Sequence, residues 1–154
     1  TKLVLEEKSA FLFFVGTAGS YGRYKIFDVV QSHKASNIEI GFLNHLCYTP
    51  LTSYIETILP HVSRGTNNIF PIVNSSNYIT TDSSLAEKML SHNIELENME
   101  FFSVLHVAKK FNIPCSGLFV ITNYCNEHAH RDFMQNHQKA KELIILHVEK
   151  NMKI

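Results

Sequence analysis

Residues 95–123 read ELENMEFFSVLHVAKKFNIPCSGLFVITN and contain the pattern that decides the fold. Apolar residues recur at helical spacing from Glu97 to Phe111, and Pro114 separates this helix from the element that follows. The segment from Cys115 to Thr122, with its apolar run LFVI, is typical of a strand buried on both faces. The stretch therefore predicts a helix that leads directly into a buried strand.

A second buried strand is predicted at Ala10 to Val15, whose sequence AFLFFV is continuously apolar and too short to form a helix of its own. GTAGSYG follows at 16–22, where three glycines permit tight turning and close backbone approach. Both predicted strands thus end in small or polar residues, because Thr122 and Asn123 finish the other one. Ligands of open α/β sheets bind beyond the carboxyl ends of the strands, so we expect a pocket here.

The other segments alternate between helix and strand signals at short separations. Residues 33–73 show no sustained period. The remaining predicted elements are helices at Thr1 to Lys8, at Asp82 to His92 with Asp82 as N-cap, and at His130 to Glu149, a strand at Ile26 to Gln31, a short helix at Thr52 to Leu59, and strand or loop at Asn74 to Thr81. This alternation predicts a single α/β domain over residues 1–154, built on a mixed, largely parallel sheet.

The composition excludes several classes of protein. Fourteen basic and fourteen acidic side chains cancel, so no electrostatic argument favours nucleic acid or an anionic membrane as a partner. The apolar runs fall far short of the roughly 20 residues that cross a bilayer. Three cysteines without a C-x-x-C spacing disfavour a disulfide framework or structural zinc and suit a reducing compartment, so we expect a cytoplasmic protein.

Four short motifs in a fixed order carry a family resemblance. They are GTAG at 16–19, Asn77-Tyr78-Ile79, ENMEFFSVLHVAKKFNIP at 97–114 and LFVITN at 118–123. Together they resemble the nucleoside phosphorylase and nucleosidase superfamily, whose purine members place Met-Glu at a helix start and end the next strand in Ser-Asp or Thr-Asn. The resemblance covers about 10–31 and 74–148 and implies a three-layer α/β/α domain.

The resemblance also implies a role for particular side chains at the sugar and the base. Glu100 would accept hydrogen bonds from the ribose 2′ and 3′ hydroxyls, and Met99 would pack under the sugar. Tyr78 and Ile79 would border the purine, and Asn123 would face its imidazole edge. No organic cofactor and no metal are implied.

Phosphate or an attacking water would meet the glycine loop, at Gly16, Thr17 and Ala18. Many hexameric phosphorylases place a phosphate-binding Arg three residues before the Ser/Thr of this loop, where this sequence has Phe14. Arg23 or Arg64 would then have to replace that cation. Family members also begin with a further strand and glycine-containing loop, so we expect a member that is short at its N-terminus.

The chemistry explains why such residues are needed. Breaking the glycosidic bond of a nucleoside develops positive charge on the sugar and negative charge on the leaving base. A fixed carboxylate such as Glu100 favours the cationic sugar. Asn123 can donate a hydrogen bond to the base without transferring a proton, whereas the Asp of other members can act as a general acid. These two are the predicted catalytic residues, and the Thr-Asn ending resembles members that prefer 6-oxopurines.

The implied function is a purine nucleoside phosphorylase-like enzyme that cleaves the N-glycosidic bond of purine nucleosides or deoxynucleosides with phosphate or water. The alternative is a nucleoside-binding protein of the same fold with weak catalysis or none. A third interpretation is an α/β domain that serves only in assembly. Family sites often lie at subunit boundaries, so a homodimer or larger homo-oligomer is expected.

Several of these residues also have an interpretation that involves no ligand. Glu100 suits the first turn of a helix, where the dipole favours a carboxylate. Met99 suits a core position, Tyr78 suits ordinary sheet packing, and Asn123 suits the start of a turn.

Two further groups invite a chemical interpretation and do not support one. His128 and His130 in the EHAH segment are two residues apart, which directs them to different faces of a helix, so no metal site is predicted. Cys125 has no general base at a recognisable spacing, so it is not predicted as a nucleophile.

Overall fold

The computed structural model describes residues 11–57 and 70–151 of the chain. Within these ranges, seven strands form one sheet, and four helices accompany it. The strands are β1 Leu12–Ser20, β2 Val29–Ser32, β3 Lys34–Ser36, β4 Tyr54–Glu56, β5 Ile72–Asn74, β6 Ile94–Glu97 and β7 Cys115–Tyr124. The helices are α1 Ile40–Leu43, α2 Ser83–Ser91, α3 Phe101–Lys110 and α4 Ala129–Asn151.

The sheet is mixed and has the order β2-β7-β1-β6-β5-β3-β4. Strand β1 runs parallel to β7, and β5 runs parallel to β3 and to β6. The pairs β1–β6, β2–β7 and β3–β4 are antiparallel. The predicted α/β fold with a mixed sheet is therefore confirmed.

The two longest strands, β1 and β7, lie side by side and carry the predicted pocket at their carboxyl ends. Their register is regular from Leu12 opposite Cys115 to Ala18 opposite Ile121. It then shifts by one residue, so that Gly19 pairs with Asn123. An irregularity of this kind re-aims side chains at the end of a strand.

Strand β7 is buried along almost its whole length, as predicted, whereas two expectations about β1 are wrong. The first half of β1 is not buried on both faces, since Val15 is 46% exposed. The predicted turn at 16–22 begins late, because β1 continues through the glycines to Ser20. The small residues there serve close packing against β7 rather than an early turn.

Helix α3 packs its predicted apolar face onto the sheet. Phe101, Leu105 and Ala108 are fully buried, and the ring of Phe101 meets that of Phe119 edge-on at 5.0 Å. The core is packed so tightly at this point that a Cβ atom on Gly117 would lie 2.7 Å from both rings. This packing fixes the start of α3 against the carboxyl ends of the strands.

The remaining elements differ from the sequence predictions in identifiable ways. Helix α2 begins as predicted, with the Asp82 carboxylate accepting from the Ser84 amide at 2.7 Å. The strand predicted at Ile26 starts only at Val29, because the backbone turns at Phe27 with φ of 72°. The short helix predicted at Thr52–Leu59 is wrong for its described part, in which Tyr54–Glu56 forms strand β4.

The helix predicted at His130–Glu149 is confirmed as the longer α4. The sequence patterns predict no strand at Ile94–Glu97, where the structure has β6. The helix predicted at Thr1–Lys8 lies outside the described residues. None of the helices in the described ranges combines the length and apolar character that a bilayer crossing requires.

Candidate active site

A cleft of about 410 Å³ opens at the carboxyl ends of β1 and β7. Strand β6 and the start of α3 form one wall, and the first turns of α4 form another. The lining residues are Thr17, Ala18, Gly19, Ile79, Glu97, Asn98, Met99, Glu100, Thr122, Asn123, Ala129, His130 and Phe133. The predicted position of the pocket, beyond two neighbouring strand ends, therefore agrees with the structure.

Most of the predicted site residues come together in this cleft. Those that line it are Thr17, Ala18, Ile79, Met99, Glu100 and Asn123. Two do not. Gly16 lies against the ring of Phe14, from which an added Cβ atom would be only 2.8 Å away. Tyr78 donates its hydroxyl to the Ile38 carbonyl at 3.3 Å, and burial raises the pKa of this phenol to about 12.

The side chain of Asn98 fixes the start of α3, where Glu100 lies. Its Oδ1 accepts from the backbone amides of Glu100 and Phe101 at 3.2 and 3.0 Å, which caps α3. Its Nδ2 donates to the Thr17 carbonyl at 3.1 Å and ties the helix start to β1. The Glu100 carboxylate makes no capping hydrogen bond and is exposed to the cleft, so capping does not account for it.

The side chain of Asn123 is held in one orientation. Its Oδ1 accepts from the Thr122 hydroxyl at 2.9 Å, and its Nδ2 donates to the Tyr124 carbonyl at 3.1 Å. Gly19 faces it so closely that a Cβ atom there would lie 3.0 Å from Nδ2. An amide nitrogen carries two hydrogens, so one remains to donate to a molecule in the cleft.

Glu97 is a cleft residue that the sequence interpretation missed. It is only 7% exposed, and its carboxylate accepts from the Tyr21 hydroxyl at 2.9 Å and from the Thr80 amide at 3.0 Å. The Thr80 hydroxyl donates to it as well. The signal for it was the alternation of Ile94, Glu95, Leu96 and Glu97, which is the period of a strand.

The first turns of α4 bring His130 and Phe133 to the mouth of the cleft. Phe133 stacks on His137, with ring centroids 5.5 Å apart. Sequence reasoning weighed His130 only as a metal ligand. In the described ranges, no three His, Cys, Asp or Glu side chains lie together as a metal site requires.

The charge of the cleft is negative. Glu97 and Glu100 both line it, and none of its described lining residues is Lys or Arg. Arg23, a predicted substitute for the phosphate-binding cation, forms an ion pair with Glu95 at 3.1 Å instead. Arg64, the other one, lies outside the described residues. Phe14 packs against the core rings of Phe101 and Phe119.

The fold and the placement of this cleft define the class of protein. A family model described as the phosphorylase superfamily matches residues 8–150. The chain belongs to the phosphorylase superfamily, as the sequence resemblance implied. No protein in the curated set compared with it gives a match.

Solved structures of this superfamily share the fold at low identity. A mutant of the Helicobacter pylori 5′-methylthioadenosine/S-adenosylhomocysteine nucleosidase, with 5′-methylthioadenosine in its active site, is 21% identical with a TM-score of 0.73. The alignment covers 97% of this chain and 71% of that one. Futalosine hydrolase of the same organism is 20% identical with a TM-score of 0.72, over 96% and 70% of the two chains.

A third such structure comes from another bacterium. It is the 5′-methylthioadenosine/S-adenosylhomocysteine nucleosidase of Streptococcus pneumoniae with a transition-state inhibitor, which is 15% identical with a TM-score of 0.72. The alignment covers 94% of this chain and 70% of that one. All three likenesses describe the fold.

Proposed function

We propose that this protein cleaves the N-glycosidic bond of a purine nucleoside and uses water as the nucleophile. The observation that carries the proposal is that Glu100 and Asn123 line one cleft of about 410 Å³. They reach it from different elements, one at the start of α3 and one at the end of β7. A nucleoside has ribose hydroxyls at one end and a flat base at the other, so two residues from different elements of one cleft can each bind one end.

Each lining residue has a role that its chemistry supports. The Glu100 carboxylate accepts hydrogen bonds from the ribose 2′ and 3′ hydroxyls, and the half-exposed Met99 packs beneath the sugar. Ile79 lies against the flat face of the base. The free hydrogen of Asn123 Nδ2 donates to the imidazole edge of the purine, where negative charge develops as the bond breaks.

Water is favoured over phosphate by the charge of the cleft. Phosphate carries negative charge, and two carboxylates with no compensating Lys or Arg among the described lining residues repel it. Water meets no such barrier beside Thr17 and Ala18. The printed names of the solved relatives, nucleosidases and a hydrolase, agree with hydrolysis.

We also propose that the protein assembles as a homodimer or larger homo-oligomer. The segment after α1 exposes three large apolar side chains, Leu46, Tyr48 and Leu51, which together suit a protein contact. Light scattering coupled to size exclusion measures the mass directly. A mass of one chain at micromolar concentration contradicts this assembly.

The cleavage proposal is tested with inosine, guanosine and adenosine, each incubated with the protein in the presence and absence of phosphate. Hydrolysis releases free base and ribose at the same rate in both cases. Phosphorolysis yields ribose 1-phosphate and requires phosphate, which would contradict the choice of water. Binding seen by calorimetry without release of base would identify the protein as a nucleoside binder without catalysis.

A further inference from the structure

Glu97 is a buried carboxylate whose charge has no counter-ion among the described residues. Its three hydrogen-bond donors, the Tyr21 hydroxyl and the amide and hydroxyl of Thr80, are all neutral. The ion pairs of the described ranges involve other carboxylates. A buried charge is costly unless an opposite charge and hydrogen bonds compensate it, and here only the hydrogen bonds are present.

Glu95 shows how the same strand treats a carboxylate that does not face the cleft. It lies two residues before Glu97 and is likewise buried. Its carboxylate pairs with the Arg23 guanidinium at 3.1 Å and accepts from the Ile72 amide at 2.8 Å. The residue without a cation is therefore the one that lines the cleft.

The negative charge of Glu97 changes the pKa of two neighbouring groups. Burial raises the pKa of Tyr21 and of Cys125, and the negative charge of Glu97 raises both further. Neither group supplies a positive charge that would compensate the carboxylate. A strongly interacting charge in a cleft is a mark of a functional position.

We propose that Glu97 is a fixed negative charge that stabilises the cationic sugar as the glycosidic bond breaks. The inference rests on the proposed cleavage. The C1′–N9 bond breaks and its electron pair stays with the purine, so C1′ carries positive charge until the water oxygen bonds to it. The proton that this water loses passes to solvent, and the purine anion takes up a proton from solvent. Glu97 forms and breaks no bond.

The three hydrogen bonds that Glu97 accepts suit this electrostatic role better than a role as base. All of these hydrogen bonds are accepted by the carboxylate, so its oxygen atoms are already engaged. The carboxylate is also held in place before the reaction, so its field requires no rearrangement when charge develops on the sugar. Glu100, by contrast, is exposed.

The test compares the affinities of two probes that differ in charge. One is a purine analogue linked to a hydroxypyrrolidine, whose protonated ring nitrogen mimics the cationic sugar. The other replaces that nitrogen by carbon and is neutral. Calorimetry on the wild-type protein is expected to show tighter binding of the cationic probe. In Glu97→Gln, the ratio of the two affinities is expected to fall by about tenfold or more.

Two further variants separate charge from architecture. Glu95→Gln removes a buried carboxylate of the same strand outside the cleft and is expected to keep the wild-type ratio. Tyr21→Phe removes one donor to Glu97 but leaves its charge, and it is also expected to keep the preference for the cationic probe. An equal fall of the ratio in Tyr21→Phe and Glu97→Gln would mean that geometry matters rather than charge, and would overturn the inference.

If Glu97→Gln does not fold, the wild-type protein alone can still overturn the inference. Equal affinity for the two probes, or binding of neither, overturns the inference. A separate outcome concerns the proposed function: a protein that binds the cationic probe through Glu97 but releases no base from any nucleoside has the charged site without the proposed reaction.

Discussion

Gly19 of β1 and Asn123 of β7 are register partners, and a Cβ atom on Gly19 would lie 3.0 Å from Asn123 Nδ2. This pairing exists because the register between the two strands shifts after Ala18. The amide that faces the cleft is thus set by the backbone of its neighbour as well as by its own hydrogen bonds. Only glycine fits at position 19 without displacing the Asn123 side chain or Cys125.

Gly19→Ala is expected to disturb both stability and activity. The new methyl group would lie 2.9 Å from Cys125 Sγ and 3.0 Å from the Asn123 amide, which forces one of them to move. Overpacking of this kind lowers the free energy of unfolding by about 1–3 kcal/mol. Denaturant unfolding measures that loss. The rate of base release is expected to fall as well, because Asn123 is displaced.

Gly117→Ala is the matched control for Gly19→Ala. Its methyl group would meet the core rings of Phe101 and Phe119 rather than a cleft residue. We expect a comparable loss of stability with most of the activity per folded molecule retained. Equal loss of activity in both variants would show that Asn123 has no special dependence on Gly19.

Glu100→Gln is expected to lower kcat/KM by about 100-fold, the scale for removing one pre-organised electrostatic contact from an active site. The thermal midpoint is expected to stay at its wild-type value, because the carboxylate does not cap α3. Glu87→Gln, on the exposed face of α2, is the control and should change neither quantity. A Glu100→Gln protein with wild-type kcat/KM would remove Glu100 from the mechanism.

The sequence predicts different parts of the molecule with different success, for physical reasons. Helix α3 and strand β7 were predictable because their periods are distinct and Pro114 separates them. Strand β6 was missed because its four residues run directly into the helix signal. Its carboxylate Glu97 was missed with it, since only the strand period places that residue on the cleft.

The glycine loop and Tyr78 show what a motif leaves undetermined. GTAG suggested a turn, whereas its glycines permit close strand packing in which Gly19 fits against Asn123. Asn77-Tyr78-Ile79 carries the resemblance as one motif, yet only Ile79 lines the cleft, because the Tyr78 hydroxyl donates to the Ile38 carbonyl. Neighbours along a loop face different ways, and that choice depends on tertiary contacts.

Asn123→Asp is expected to change the base preference. A 6-oxopurine presents two acceptors, N7 and O6, to the amide, whereas adenine presents an amino donor beside N7. An ionised Asp accepts only, so the ratio of kcat/KM for inosine over adenosine should fall by about tenfold, for a mismatch of roughly 1–3 kcal/mol. Steady-state kinetics with both nucleosides measures the ratio. Equal turnover of the two by the wild-type protein would contradict the preference for 6-oxopurines that the Thr-Asn ending implies.

His33 is expected to make stability depend on pH. Its Nδ1 is buried without a hydrogen-bond partner among the described residues, and its ring packs edge-on against Phe70. Burial lowers the pKa of His33 below 6.5, although Glu56 at 3.2 Å from Nε2 opposes this. The unfolded chain therefore binds more protons below about pH 6.5, and the folded state loses stability as the pH falls through this range.

The measurement for His33 is the free energy of unfolding at pH 7.5 and at pH 5.5, for the wild-type protein and for His33→Gln. Glutamine does not titrate, so the variant should lose less stability between the two pH values. A wild-type protein and a variant with the same dependence on pH would show that His33 is not the group responsible.

The central claim is that Glu100 and Asn123 bind opposite ends of one nucleoside, and a crystal structure with 9-deazainosine tests it most directly. The carbon–carbon bond of this analogue replaces the scissile bond, so the ligand stays intact. We predict the ribose 2′ and 3′ hydroxyls within hydrogen-bond distance of the Glu100 carboxylate and the edge of the base on Asn123 Nδ2. A nucleoside bound outside this cleft, or within it without contact to either residue, would contradict the account.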